Sequence, residues 1–236
     1  KTIWALYNAL THWSTHPDET YEKLNNKGEL KDNIRVMNPF KENEEILSIL
    51  GKFYKKFFSD KKSRKIILGI NPGRLGAGAT GIPFTDTKRL SEVCGIESSS
   101  FQTHEPSSVF VYDVIKEFGG SEKFYDKFYI NSICPLGFIK QNQKGNWVNC
   151  NYYDYNELFQ STKEFIISSL RKQIEFGIDT SVCYILGKKN AKFFKKINDE
   201  AKLFDKVIVF DHPRYIVQYK MKLKEKYIAD YLKELK

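Results

Sequence analysis

The feature that most constrains the fold is a basic-then-apolar run, KKSRKIIL, that passes directly into a glycine-rich stretch, GINPGRLGAGATGIPFTD, from Gly69 to Asp86. A short apolar run bounded by glycine reads as a buried strand. Gly69, Gly73, Gly76, Gly78 and Gly81 let the backbone approach another group closely, and two prolines stiffen its path. An amide side chain, Asn71, stands just past the strand end. In a parallel sheet, ligands bind at the carboxyl ends of strands, so this placement already marks a site.

The rest of the chain supplies partners for that strand. Ile46, Leu47, Leu50, Phe53, Tyr54, Phe57 and Phe58 recur at helical spacing, which predicts an amphipathic helix over 42–58. KFYINSICPLGF (127–138) starts as a second strand and breaks at Pro135, and SVCYILG (181–187) and KVIVF (206–210) read as a third and fourth. Between them the pattern predicts a short helix capped by Thr85 or Asp86, a helix opened by Ser107 and Ser108, a long one over 157–176, and one after 187. Residues 142–146 read as a polar loop, and a Lys-rich helix is expected from about Gln218 to Lys236. Strands alternating with helices predict an α/β fold of three layers, with a short central parallel sheet of about four strands covered by helices on both faces. No linker or repeat divides the sequence. The expectation is one domain over 1–236, with an N-terminal helical extension over about 1–60 whose residues 2–30 pack outside the sheet.

Composition narrows the partner. A 41% hydrophobic, 15% aromatic chain has enough apolar side chains for a substantial core. Lys and Arg number 38 against 29 Asp and Glu, a formal charge of +9 that favours a polyanion, because neutralised phosphates release condensed counterions. A lysine-rich solvated surface accounts for the same charge. Cys94, Cys134, Cys150 and Cys183 are widely spaced and signal neither a zinc site nor a disulfide framework, as expected in a reducing cytoplasm. The opening KTIWALYNALTHW lacks the features of a signal peptide, and no apolar run approaches the roughly 20 residues of a membrane span.

Three strand ends carry polar groups: GINPGR after the first, NSICPLGF after the second and DHPRY after the fourth. Parallel strands would bring Asn71, Asn131 or Ser132, and His212 to one edge. Each has a plainer reading alone: an Asn-Pro turn, strand-end backbone bonding, a packed core histidine, and for Phe84 a core aromatic. The glycine-rich stretch lacks the Lys-Ser/Thr pair of a phosphate-binding loop and the spacing of a dinucleotide fingerprint. No metal-ligand cluster or serine nucleophile elbow is present, so neither a metal nor a cofactor is expected.

G-I-N-P-G, then G-x-x-x-T-G-I-P-F, then N-S-I-C-P-L and H-P-R resembles the uracil-DNA glycosylase superfamily. Within it the sequence is most similar to the single-strand-selective monofunctional enzymes, particularly their bacterial second branch. The resemblance implies a DNA glycosylase that releases uracil, and other deaminated bases, to initiate base excision repair. It would act on DNA as a monomer in the bacterial cytoplasm, at the nucleoid, without lyase chemistry. It implies that Asn71 positions the attacking water, that Phe84 stacks on the extruded base, and that His212 donates to uracil O2 as charge builds there. Gly69 and Ile70 would border the base. Where close relatives place an Asn that reads the uracil edge, this sequence has Ser132, with Asn131 beside it. Arg74, Arg214, Tyr215 and Lys220 flank the motifs as candidate DNA contacts, with Lys188 and Lys189 as weaker ones. Asp86 is expected to cap rather than catalyse. A non-catalytic single-strand binder and a hydrolase of free nucleosides or nucleotides are the alternative readings.

Overall fold

In the computed structural model, which describes residues 34–37 and 39–236, the chain enters on a short strand, β1 (Ile34–Val36), and a helical turn, α1 (Pro39–Glu42). The helices expected within residues 2–30 lie outside the described residues. The apolar spacing over 42–58 forms α2 (Glu45–Phe58), which starts where the Asn43 side chain accepts from the Glu45 N–H at 2.9 Å. Its stripe of Ile46, Ile49, Leu50, Phe53, Tyr54, Phe57 and Phe58 is buried. Phe53, Phe57 and Phe58 meet Tyr125, and Phe58 also meets Tyr129 edge-on with ring centroids 5.4 Å apart.

The expected first strand is β2 (Arg64–Gly69), and Ile66, Ile67 and Leu68 are buried in succession, as in a strand covered on both faces. It opens on a buried cation. Arg64 Nε donates to the Tyr125 carbonyl at 2.6 Å, Nη2 to the Phe57 carbonyl at 3.1 Å, and the two Nη atoms grip Asp60 at 2.7 and 2.9 Å. Those bonds tie α2 to the sheet and satisfy every face of the guanidinium. The Arg64 hydrogen bonds, opposed by partial burial, hold the Asp60 carboxyl below its ordinary value.

Beyond β2 come α3 (Ala77–Thr80), α4 (Thr87–Glu92), α5 (Pro106–Phe118), α6 (Ser121–Lys127), β3 (Phe128–Ser132), the hairpin of β4 (Phe138–Gln141) and β5 (Trp147–Cys150), α7 (Asn156–Glu175), β6 (Ile178–Leu186), α8 (Lys188–Ala201), β7 (Lys206–Phe210), α9 (Pro213–Tyr219) and, after a 3₁₀ turn, α10 (Lys224–Leu235). The four strands β3-β2-β6-β7 form one sheet in that order, every neighbour parallel, between helices on both faces. A second sheet, β1-β4-β5, is antiparallel.

Three expectations are corrected. The polar loop at 142–146 is the tip of a hairpin. Asn142 Oδ1 accepts from the Lys144 and Asn146 N–H groups, and Gly145 turns at φ +76°. Its flanking strands are four residues each, too short for a period-2 pattern to stand out. The glycine-rich stretch contains one helical turn, α3, ended by Gly81 at φ +75°. The last helix starts at Lys224 rather than about 218, because Lys220, at φ −128°, ends α9. No helix among the described residues is long and apolar enough to cross a membrane.

Register sets the site. Gly69 pairs with Ser132 and Leu186 with Phe210, so β2, β3, β6 and β7 end nearly level. The chain runs from β2 to β3 on one side, then crosses to β6 on the other. The carboxyl end of β2 is therefore the switch point of the sheet.

Substituting Arg64 by Met should cost about 3 kcal/mol of unfolding free energy, since Tyr125 and Phe57 lose a buried donor. Asp60's depressed pKa means its share of that stability is present at neutral pH and lost as pH falls through the depressed value. Denaturant unfolding of both proteins should show the gap narrowing in acid.

Candidate active site

A cleft of about 550 Å³ opens at this switch point. It is lined by Ile70, Asn71 and Phe84 of the glycine-rich stretch, by Ser132 at the end of β3, and by His212 after β7. Asn71, Phe84, Ser132 and His212, which come from the ends of three separate strands and the stretch after the first, thus face one space. Val148, Asn149 and Asn151 of the hairpin, with Glu105 and Ser107, complete the walls.

Asn71 is held on both sides. Its Oδ1 accepts from the Tyr152 N–H at 3.1 Å, and its Nδ2 donates to the Cys150 carbonyl at 3.2 Å. The backbone after the hairpin therefore fixes which end of the amide is oxygen. The hairpin also braces the loop, where the Arg74 N–H donates to Asn149 Oδ1 at 3.1 Å.

Phe84 is buried at φ +53°, a left-handed conformation that costs a non-glycine residue strain. The ring lies between the backbone of Gly69 and the ring of His212, whose centroid is 5.9 Å away. A Cβ on Gly69 would come within 2.9 Å of the Phe84 ring, so the glycine is needed for this packing. That corrects the expected role of Gly69: it does not line the cleft but seats the aromatic that does. Ile70 does line it.

Asn131 and Ser132 part company as strand alternation requires. Ser132 faces the cleft, and its hydroxyl makes no hydrogen bond to a described residue. Asn131 does not line the cleft, against expectation. Its Nδ2 donates to the Tyr129 hydroxyl and to Gln173 Oε1 at 2.9 and 2.8 Å, and its Oδ1 accepts from the Ser132 N–H. Its hydrogen bonds are spent inside the protein.

His212 caps α9, its Nδ1 accepting from the Arg214 N–H at 3.1 Å. The proton of the neutral ring then sits on Nε2, which makes that nitrogen a donor. Burial, helped by the Arg214 charge, brings its pKa down to about 4, so the ring is neutral at pH 7.

Two carboxyls near the cleft have opposite surroundings. Asp86 is fully buried and accepts from the Arg89 and Glu105 N–H groups, the Ser108 hydroxyl and Arg89 Nη1, at 2.9 to 3.3 Å. Burial pushes its carboxyl up, but these donors outweigh burial and leave it below its ordinary value. It caps α4 and does not line the cleft, as expected. Glu105 lines the cleft, and its Oε2, buried beneath Gly76, has no hydrogen-bond partner among the described residues. Burial and the neighbouring Asp86 charge push its pKa up to about 7 against the pull of Arg214. Nothing in THEPSS distinguishes Glu105 from a surface carboxylate.

The cationic candidates divide. Arg74 and Arg214 are exposed at the cleft. Tyr215 is 40% exposed on α9, with Lys220 Nζ 6.0 Å from its ring centroid, and neither lines the cleft. Lys188 pairs with Asp211 at 2.9 Å and Lys189 with Asp154 at 3.7 Å. Among the described residues, no group of three or more His, Cys, Asp or Glu is placed to hold a metal ion. The four cysteines are free and buried.

Comparison with known proteins adds two findings. The family model described as the uracil DNA glycosylase superfamily matches residues 55–236. The crystal structure of the wild-type SMUG2 protein of Pedobacter heparinus superposes with a TM-score of 0.84 at 50% sequence identity, over 87% of this chain and 88% of that one. A search of curated proteins finds no match.

A histidine-depressed pKa has a defined sign. The unfolded chain binds the His212 proton more readily, so stability present above pH ~6.5 is lost as pH falls towards about 4. An NMR titration of the His212 ring, assigned by its loss in H212N, should show a midpoint near 4. For Glu105 the shift is upward, so its stabilising contribution is lost as pH rises through about 7. The Glu105→Gln variant should therefore gain melting temperature over wild type above that pH.

Proposed function

The chain belongs to the uracil DNA glycosylase superfamily, and we propose that it is a monofunctional DNA glycosylase that hydrolyses the N-glycosidic bond of uracil and other deaminated bases. The observation that carries this reading is the convergence of Asn71, Phe84, Ser132 and His212 on one cleft at the switch point of the sheet.

The geometry suits the chemistry. Breaking the bond leaves an electrophilic, oxocarbenium-like sugar and an anionic base. The locked Asn71 amide donates from Nδ2 to the Cys150 and Pro72 carbonyls and keeps a second lone pair on Oδ1, enough to orient a water but not to deprotonate one. His212 is neutral, with its donor at Nε2, and a fixed donor in a dry cleft stabilises charge developing on a carbonyl oxygen by roughly 2.7–4 kcal/mol. Phe84, strained and seated on Gly69, offers a ring against which an extruded base would stack. Among the described residues lining the cleft there is no lysine, which supports hydrolysis rather than Schiff-base lyase chemistry. Arg74 and Arg214 at its mouth would grip the phosphates flanking the extruded nucleotide. Tyr215, exposed on the adjoining helix, would enter the gap it leaves.

The test is release of free base from oligonucleotides carrying uracil, hypoxanthine or xanthine. Wild type should release base, and Asn71→Ala and His212→Ala should each lower the single-turnover rate about 10²-fold or more. No release on any substrate, or release only from free nucleosides, would overturn the reading. Binding to single strands should weaken with salt, and R74A and R214A should each flatten the log–log slope by about 0.7 if each holds one phosphate.

A further inference from the structure

Glu105 is unexplained by the roles above. Its backbone is fixed: the N–H donates to Asp86 at 3.0 Å, and the carbonyl accepts from the Ser108 N–H and hydroxyl at 3.0 and 2.7 Å. The side chain packs under the glycine-rich stretch, filling space that a Cβ on Gly76 would enter, since that Cβ would stand 2.1 Å from Oε2 and 2.8 Å from Oε1. From there it borders the cleft shared by Phe84, Ser132 and His212. A buried, unpartnered carboxyl oxygen is a costly arrangement that calls for an explanation.

Its surroundings decide its form. Asp86 takes the nearby donors and stays ionised, and Arg89 and His104 both lie against Asp86, His104 Nδ1 at 3.5 Å. From α9, Arg214 is the cation that opposes this, and His212 beside it is neutral. Among the described residues no cation hydrogen-bonds Glu105, and the carboxyl carries a proton up to a pH of about 7. A neutral acid inside the cleft is a donor.

We propose that Glu105 donates its proton to the extruded base, and that the acceptor is N7 of a deaminated purine. This rests on the glycosylase reading above. Uracil offers no unprotonated ring nitrogen once N1 is bonded to the sugar, only two carbonyl oxygens, and His212 serves one. Hypoxanthine and xanthine joined through N9 both present N7 as an acceptor. Ser132, which lines the same cleft, has a short side chain, and a cleft of about 550 Å³ suits a bicyclic base. As the C1′–N9 bond breaks, its electron pair stays on the base while the Glu105 proton moves to N7, and the base leaves neutral. Water adds its oxygen to C1′ and releases a proton to solvent, from which the Glu105 carboxylate is reprotonated.

The experiment is single-turnover release of hypoxanthine and of uracil from matched oligonucleotides, over about pH 5.5 to 9, by wild type, E105A, E105Q and H104Q. Wild-type release of hypoxanthine should fall about tenfold per pH unit above about 7, and H104Q should keep that limb. E105A and E105Q should both lose about 10²-fold on hypoxanthine at low pH and lose the limb, and their loss on uracil should be at least about tenfold smaller. Circular dichroism and melting temperature check that E105Q is folded, since it keeps the side chain's shape. E105Q with wild-type rate and pH profile, or H104Q without the limb, would overturn the proposal. So would a wild type that releases uracil but no deaminated purine, which leaves the glycosylase reading standing. A wild type that releases nothing overturns both.

Discussion

The site depends on one constraint, the burial of β2 on both faces between two parallel neighbours. Ile66, Ile67 and Leu68 are buried in succession, so both faces of this strand are covered. Pairing Gly69 with Ser132 then fixes where β2 and β3 end together. Once that edge is set, the Gly69 carbonyl receives the Ile133 N–H at 3.0 Å and Asn190 Nδ2 at 3.2 Å, so the strand end is held from both sides. Only a glycine leaves room above this end for the Phe84 ring. The Phe84 ring is therefore seated on the end of a buried strand, and an aromatic held in this way suits the proposed stacking role.

The same residue types take opposite electrostatic roles according to who donates to them. Asp86 and Glu105 are both carboxyls at the approach to α4 and α5, yet one collects four donors and stays ionised while the other has none and keeps its proton. The backbone N–H of Glu105 is itself one of the donors to Asp86. The residue thus helps create the anion that raises its own side chain's pKa. Pairs of titratable groups whose surroundings push them apart mark acid and base assignments in catalytic sites.

Much of this was legible in the sequence, and the reasons are specific. The apolar run before Gly69 and the polar tails after three strands predict a parallel sheet with Asn71, Asn131 or Ser132, and His212 at one edge, and the structure brings Asn71, Ser132 and His212 to one cleft, because strand burial follows from local hydrophobic pattern. Asn131 was misassigned because adjacent residues at a strand end differ only in which face they take, and that face is set by the neighbour's register. The hairpin wall was missed because four-residue strands carry too little pattern, and its Cys150 and Tyr152 contribute backbone, which sequence identity does not reveal. Glu105 was invisible for a different reason. Its chemistry comes from the donors it lacks, and a missing partner is a property of packing alone.

The distribution of polar groups in the cleft says where the proposed hydrolysis is assisted. On the side of the water stands an amide, locked by backbone at both ends and unable to take a proton. On the side of the base stand a neutral imidazole with a directed donor and a carboxyl that keeps its proton. An enzyme that relied on activating its nucleophile would need the reverse arrangement, with the titratable group beside the water. Because the sugar becomes electrophilic as the bond breaks, a weak nucleophile suffices once departure is made easy. In the proposed reaction the cleft would therefore concentrate its donors on the leaving base, where charge develops and where a hydrogen bond strengthens as the bond breaks.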